Sequence, residues 1–120
     1  MLAQLLDMSR QPEEAEAAYR AWLRLDPRSA AANNNLAYLM AERGRNLDEA
    51  VNLASRAVSL SPQDRTYKDT LGYVYLRNGH VGEALHIFEQ LAQRHPADRA
   101  IQQHYALAVG AAGKSLSVRN

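Results

Sequence analysis

Four landmarks of different chemistry recur along these 120 residues at one spacing, 35 and then 34. Asp26-Pro27, Ser61-Pro62 and His95-Pro96 form one series, and Glu14-Ala15, Glu49-Ala50 and Glu83-Ala84 a second. Gly44, Gly79 and Gly113 form a third, and Leu36-Ala37, Leu71-Gly72 and Tyr105-Ala106 a fourth. Independent residue types that share such a period mark an array of supersecondary units, each burying its apolar face against the next.

Within a period the pattern is helical twice over. Leu36, Ala37 and Met40, then Leu71, Gly72 and Tyr75, make an apolar stripe at helical spacing. Gly44 and Gly79 stand where such a helix ends in a left-handed cap. A second helix starts near Asp48-Glu49 and near Glu83, where acidic side chains suit the helix dipole. Ala50, Ala54 and Ala57 form its tight face, matched by Ala84, Phe88 and Leu91. Pro62 and Pro96 stop it. The predicted helices are 1–10, 13–25, 29–43, 47–60, 64–78, 81–94 and 98–112, with a frayed tail over 114–120. No segment alternates as a strand would.

These residues resemble the tetratricopeptide repeat (TPR), a helix–turn–helix unit with Leu-Gly and an aromatic on its first helix and Ala, an aromatic and Pro on its second. Repeat three carries the fullest match, with Leu71-Gly72-Tyr73-Val74-Tyr75, Gly79, Ala84, Phe88 and Pro96. Repeat two matches at Leu36-Ala37, Gly44, Ala50, Ala54, Ala57 and Pro62, with one extra residue in the turn Arg45-Asn46-Leu47. Repeat one keeps Ala15, Tyr19 and Pro27 but starts inside its first helix, as a fragment of a longer array would. The resemblance implies an all-α, right-handed superhelical solenoid of about seven helices. It divides one domain, 1–113, into a partial repeat 1–28, repeats 29–63 and 64–97, and a terminal helix 98–113. The asparagine-rich start of repeat two and the extra turn residue resemble bacterial members of the family.

The resemblance places the first helices on a concave face that binds a peptide or a partner helix. The residues off the packing stripe are Asn34, Asn35, Tyr38, Ala41 and Glu42, then Thr66, Asp69, Thr70, Tyr73, Leu76 and Arg77, then Gln103, His104, Leu107 and Gly110. Amides donate and accept toward a peptide backbone at once, and tyrosine adds contact area with a polar tip. The alternative is that Tyr38 and Tyr73 only pack between helices and that Asn33-Asn34-Asn35 is a solvated stretch. Some relatives hold a free C-terminal carboxylate with Lys, Arg and Asn. Asn35 fits that set, but Thr66 and Thr70 stand where the basic members belong, which argues against such a ligand.

Composition narrows the function classes further. Fourteen Lys and Arg against thirteen Asp and Glu give a net charge of +1, with none of the basic excess of a nucleic-acid binder. Arg20, Arg24 and Arg28 are expected as a small solvated basic strip. No cysteine is present, so disulfides and thiol nucleophiles are excluded. No two of His80, His86, His95 and His104 lie four apart, so one helix does not offer a metal two nitrogens. Of these, His104 falls near the groove, where a hydrogen-bonding role is favoured over catalysis. Glu13-Glu14 and Asp48-Glu49 are first-turn acids rather than acid–base pairs. Gly72, and by analogy Gly110, is expected at a close helix crossing. The sequence therefore predicts a non-enzymatic interaction module without cofactor or metal, soluble in cytoplasm or periplasm. Its partner is a protein or peptide, with neither nucleic acid nor membrane insertion. The alternative is a self-association module that forms a homodimer through its terminal helices, because Ala106 to Val109, Ala111 and Ala112 leave the last helix apolar.

Overall fold

The computed structural model describes residues 11–119, with side chains to Gly113. Among these residues the chain forms six helices and no strand: α1 Pro12–Leu25, α2 Ala30–Arg43, α3 Leu47–Leu60, α4 Arg65–Arg77, α5 Val81–Arg94 and α6 Arg99–Arg119. The helix predicted over 1–10 lies outside the described residues. Each of the three proline motifs builds the same turn. Backbone N–H groups of Asp26, Ser61 and His95 donate to the carbonyls four residues back at 2.8, 3.0 and 2.8 Å. Three residues later Ser29, Asp64 and Asp98 donate back to those turn residues, each at 3.1 Å. The same three residues then cap the next helix: their side-chain oxygens accept from Ala32, Tyr67 and Ile101 N–H at 3.1, 3.1 and 3.2 Å.

The other turns use left-handed backbone. Gly44 (φ 66°) and Gly79 (φ 81°) adopt it at the ends of α2 and α4. The extra residue of repeat two is absorbed just after Gly44, where Asn46 also takes positive φ, 52°; asparagine tolerates this region better than most residues. Gly113, in register with these two, does not end α6, which continues through the expected tail to Arg119. No proline or new cap follows Gly113, so nothing stops propagation.

The helices pack as a superhelical solenoid of successive antiparallel pairs. Each helix packs on its sequence neighbours, and α2 packs on α4 and α4 on α6, whereas α3 and α5 meet at most marginally. The row α2–α4–α6 is therefore the inner side of the curve. The core follows the predicted stripes. Ala15, Tyr19, Leu36, Ala37, Met40, Ala50 and Ala54 form one buried cluster, and Ala84, Phe88, Leu91, Ile101 and Ala108 a second. Tyr73 packs against both. Gly72 sits where α4 crosses α5: a Cβ there would lie 2.7 and 2.8 Å from the Phe88 ring and 3.2 Å from Ile87 Cγ2. At Gly110 a Cβ would meet nothing within 4 Å, so the crossing expected there is absent. In place of the solvated strip expected at Arg20, its guanidinium pairs with Glu16 at 3.1 Å and with both oxygens of Glu49 at 2.9 and 3.1 Å. Arg43 extends that network to Glu13 and Glu16.

Candidate functional site

The inner helices carry a ladder of rings. Tyr38 on α2 lies 5.6 Å from Tyr73 on α4, and Tyr73 stacks on His104 of α6 at 5.0 Å. Tyr38 and Tyr73 are in register, 35 residues apart, whereas His104 stands three residues, about one turn, before the position in register with Tyr73. Carboxylates pin the ladder between helices. Tyr73 Oη donates to Glu42 Oε2 at 2.7 Å, and His104 Nδ1–H donates to Asp69 at 2.9 and 3.0 Å. Arg77 Nε donates to the Ala41 carbonyl at 2.9 Å, tying the end of α4 to the end of α2.

The electrostatics follow from these contacts. The hydrogen bond to Asp69 outweighs burial and raises the His104 pKa above the usual histidine value, favouring the imidazolium. Burial, then the bond to Glu42, pushes Tyr73 up to about 12. Burial and the same carboxylate also push Tyr38 up. Both phenols therefore remain neutral donors at ordinary pH. Beside the ladder, Tyr73, Leu76, Arg77, Leu107 and Ala111 line an open cleft of about 340 Å³. Leu107 is 57% exposed at its edge, so the cleft joins a guanidinium to an uncovered apolar side chain.

The predicted site residues divide into three groups. Tyr38, Glu42, Asp69, Tyr73, Arg77 and His104 come together in the ladder and its ties. Asn35 and the exposed Thr66 and Gln103 join no part of the ladder. Asn34 and Thr70 are only 7% and 5% exposed, and Ala41 is fully buried, so these three are not on the open face. Helical spacing placed them correctly on α2 and α4 but did not show that neighbouring helices cover that edge. Asn34 Nδ2 donates to Asn35 Oδ1 at 3.3 Å, while its own buried Oδ1 has no hydrogen-bond partner. Nor is Asn33 solvated. It is fully buried, donates to the Pro27 and Ser29 carbonyls at 3.2 and 2.8 Å, and accepts from Arg56 at 3.2 Å.

His95 and His86 have other settings. His95 Nδ1 accepts from Arg65 at 3.0 Å in its turn, and His86 is exposed on α5. Among the described residues no group of three His, Asp or Glu could hold a metal ion, and no helix is long and apolar enough to cross a membrane. The cleft residues Leu76 and Leu107 had a sequence signal, since both fall on the inner face; Ala111, one turn beyond Leu107, was the member missed.

A family model for the tetratricopeptide repeat matches residues 1–65 and 70–114. A TPR repeat-containing protein of Pseudomonas aeruginosa is 33% identical over 79 residues, which cover 66% of this chain and 13% of that relative, so the chain spans a small part of its length. Among solved structures, the first TPR domain of human RPAP3 superposes with a TM-score of 0.84 at 15% identity, covering 96% of this chain and 90% of that one. The second TPR domain of the same protein, solved in complex with the HSP70 peptide SGPTIEEVD, superposes with a TM-score of 0.77 at 17% identity, covering 88% of each chain.

Proposed function

The chain belongs to the tetratricopeptide repeat family, and on that footing we propose that it is a protein-interaction module that grips an extended partner segment along its inner face. The observation that carries this reading is the continuous ring ladder Tyr38–Tyr73–His104 beside the cleft at Leu107. A stacked aromatic surface with polar edges gives large contact area at small entropic cost. The cleft takes one apolar side chain of the segment, with Arg77 at its wall for a neighbouring acceptor. Neutral phenols and the Asn35 and Gln103 amides supply sequence-tolerant bonds to its backbone. The complex of the similar RPAP3 domain with an HSP70 peptide supports peptide binding as a use of this fold. A terminal carboxylate is disfavoured here, because Thr66 and the buried Thr70 stand where a cationic clamp would be needed.

The test is a random peptide library selected against the wild-type chain, with each binder measured by fluorescence anisotropy on a Tyr38→Ala, Leu107→Ala double variant. Both side chains are substantially exposed, so helicity stays. We expect the double variant to lose roughly tenfold or more in affinity, the usual scale for truncating two contact residues. Full affinity in the double variant would remove the inner face as the binding surface.

A second reading, a homodimer through the terminal helix, draws on one observation. Ala106, Val109, Gly110 and Gly113 form an exposed stripe on α6 at the register of the buried Ala37, Met40 and Ala41 of α2. Light scattering across concentration tests it: a constant monomer mass would rule it out.

A further inference from the structure

A second recess lies on the other side of α4 from the ring ladder. At 100° per residue, Lys68 and Leu71 fall roughly opposite Tyr73 and Arg77 on that helix. The recess exists because α3 and α5 both pack on α4 but meet each other at most marginally. Val58 of α3, Leu71 of α4, and Ile87 and Leu91 of α5 line it, enclosing about 160 Å³. Lys68 and Arg94 stand among the same lining residues, and no carboxylate does. Among the described residues neither cation takes part in an ion pair.

Volume and charge select the occupant. A cavity of about 150 Å³ lined by aliphatic and aromatic side chains accepts a benzene-sized group. This recess therefore fits one Leu- or Phe-sized side chain and is too small for a long acyl chain. Two unpaired cations at an apolar recess favour carboxylates beside that side chain. We propose that this convex recess is a second binding site, which takes an acidic partner peptide by one bulky apolar anchor flanked by Asp or Glu side chains that meet Lys68 and Arg94. The site is independent of the inner face, and the two are compatible with simultaneous occupation.

The test uses the full chain, ¹⁵N-labelled, titrated with an acetylated and amidated pentapeptide of leucine between two pairs of glutamates. Saturable shifts are expected at Leu71, Ile87 and Leu91. Replacing the leucine by serine, or the glutamates by lysines, is expected to weaken binding about tenfold, as is the double variant Lys68→Glu, Arg94→Glu. The double variant Arg24→Glu, Arg28→Glu makes the same change in net charge at exposed positions on and just beyond α1 and is expected to bind like wild type. The proposal is overturned by an absence of shifts at millimolar peptide, by shifts centred on Tyr73 and His104, by equal binding of the serine peptide, or by equal weakening in the Arg24, Arg28 control. Tighter binding of octanoate than of the peptide would overturn the assignment to a peptide.

Discussion

Adding a single methyl group at Gly72 sets two well-calibrated effects against each other. Gly72→Ala in the interior of α4 gains helix propensity, about 1 kcal/mol. The new Cβ, however, would stand 2.7 Å from Phe88 Cε1 and 2.8 Å from Cζ, about 1 Å inside the optimal carbon–carbon separation. Phe88 is fully buried, and His104 faces it with ring centroids 5.6 Å apart. Ile87 Cγ2 lies 3.2 Å from the same Cβ position, so the new methyl is crowded from two side chains at once. Overpacking of this kind costs about 1–3 kcal/mol, and two ring atoms inside 3 Å place this case in the upper half of that range, so once the propensity gain is subtracted we expect a net destabilisation of about 1–2 kcal/mol for alanine. Leucine at the same position, which adds three more carbons to the crossing, costs a few kcal/mol. Urea unfolding followed by circular dichroism measures both, and the midpoint falls at unchanged slope if the folded state alone is affected. Phe88→Leu should partly relieve the alanine variant, giving a coupling of about 1 kcal/mol in the double-mutant cycle. An alanine variant as stable as wild type, or a cycle with no coupling, would refute the claim that the close crossing of α4 and α5 requires glycine.

Three further outcomes follow from contacts described above. Asp69 raises the His104 pKa, so the stability this pair contributes is complete below the unfolded histidine value, about 6.5, and is lost as pH rises through the higher folded value. An NMR titration should place the His104 midpoint above 6.5 in wild type, and Asp69→Asn should bring it down and flatten the stability profile over that window. Ser29→Ala, Asp64→Ala and Asp98→Ala each remove a helix cap and should cost about 1 kcal/mol in urea unfolding; Asp64 and Asp98 are expected to couple, because Arg65 reaches His95 and Asp98 of the next turn. Glu16→Gln breaks the bridge between Arg20 and Arg43; we expect a loss of about 1 kcal/mol at low salt that shrinks in 1 M NaCl.

The period made most of the fold legible. Ala50, Ala54 and Ala57 repeat with Ala84, Phe88 and Leu91 as buried faces because a solenoid imposes the same environment every 34 or 35 residues. Where the environment changes, the analogy fails. Gly110 stands one turn along α6 from the residue that follows Gly72 in register, yet no helix covers that face, so it meets nothing. Gly113 shares a register with Gly44 and Gly79 but lacks the turn and new cap that make those glycines helix ends. The site was legible at the level of faces and not of partners. The spacing of Tyr38, Asp69, Tyr73 and His104 put them on one side, whereas their mutual bonds depend on the distance between helices, which no single helix encodes. Asn33, Asn34 and Asn35 show the limit most sharply: three identical neighbours have three settings, one bonded into a turn, one buried with an unmatched oxygen and one half-buried beside it.

The ties across the inner row have a mechanical consequence. Glu42 to Tyr73, Ala41 to Arg77 and Asp69 to His104 each join one inner helix to the next, while on the outer row Arg20 joins α1 to Glu49 of α3 and α3 meets α5 at most marginally. Flattening the curve stretches these ties first and leaves the buried faces within each helix pair intact. Half-exposed polar bonds of this sort resist by only about 1 kcal/mol each. The coil is thus stitched mainly along its inner edge, and with weak thread: stiff within a repeat, compliant between repeats, and able to lengthen its pitch under load without unfolding a helix.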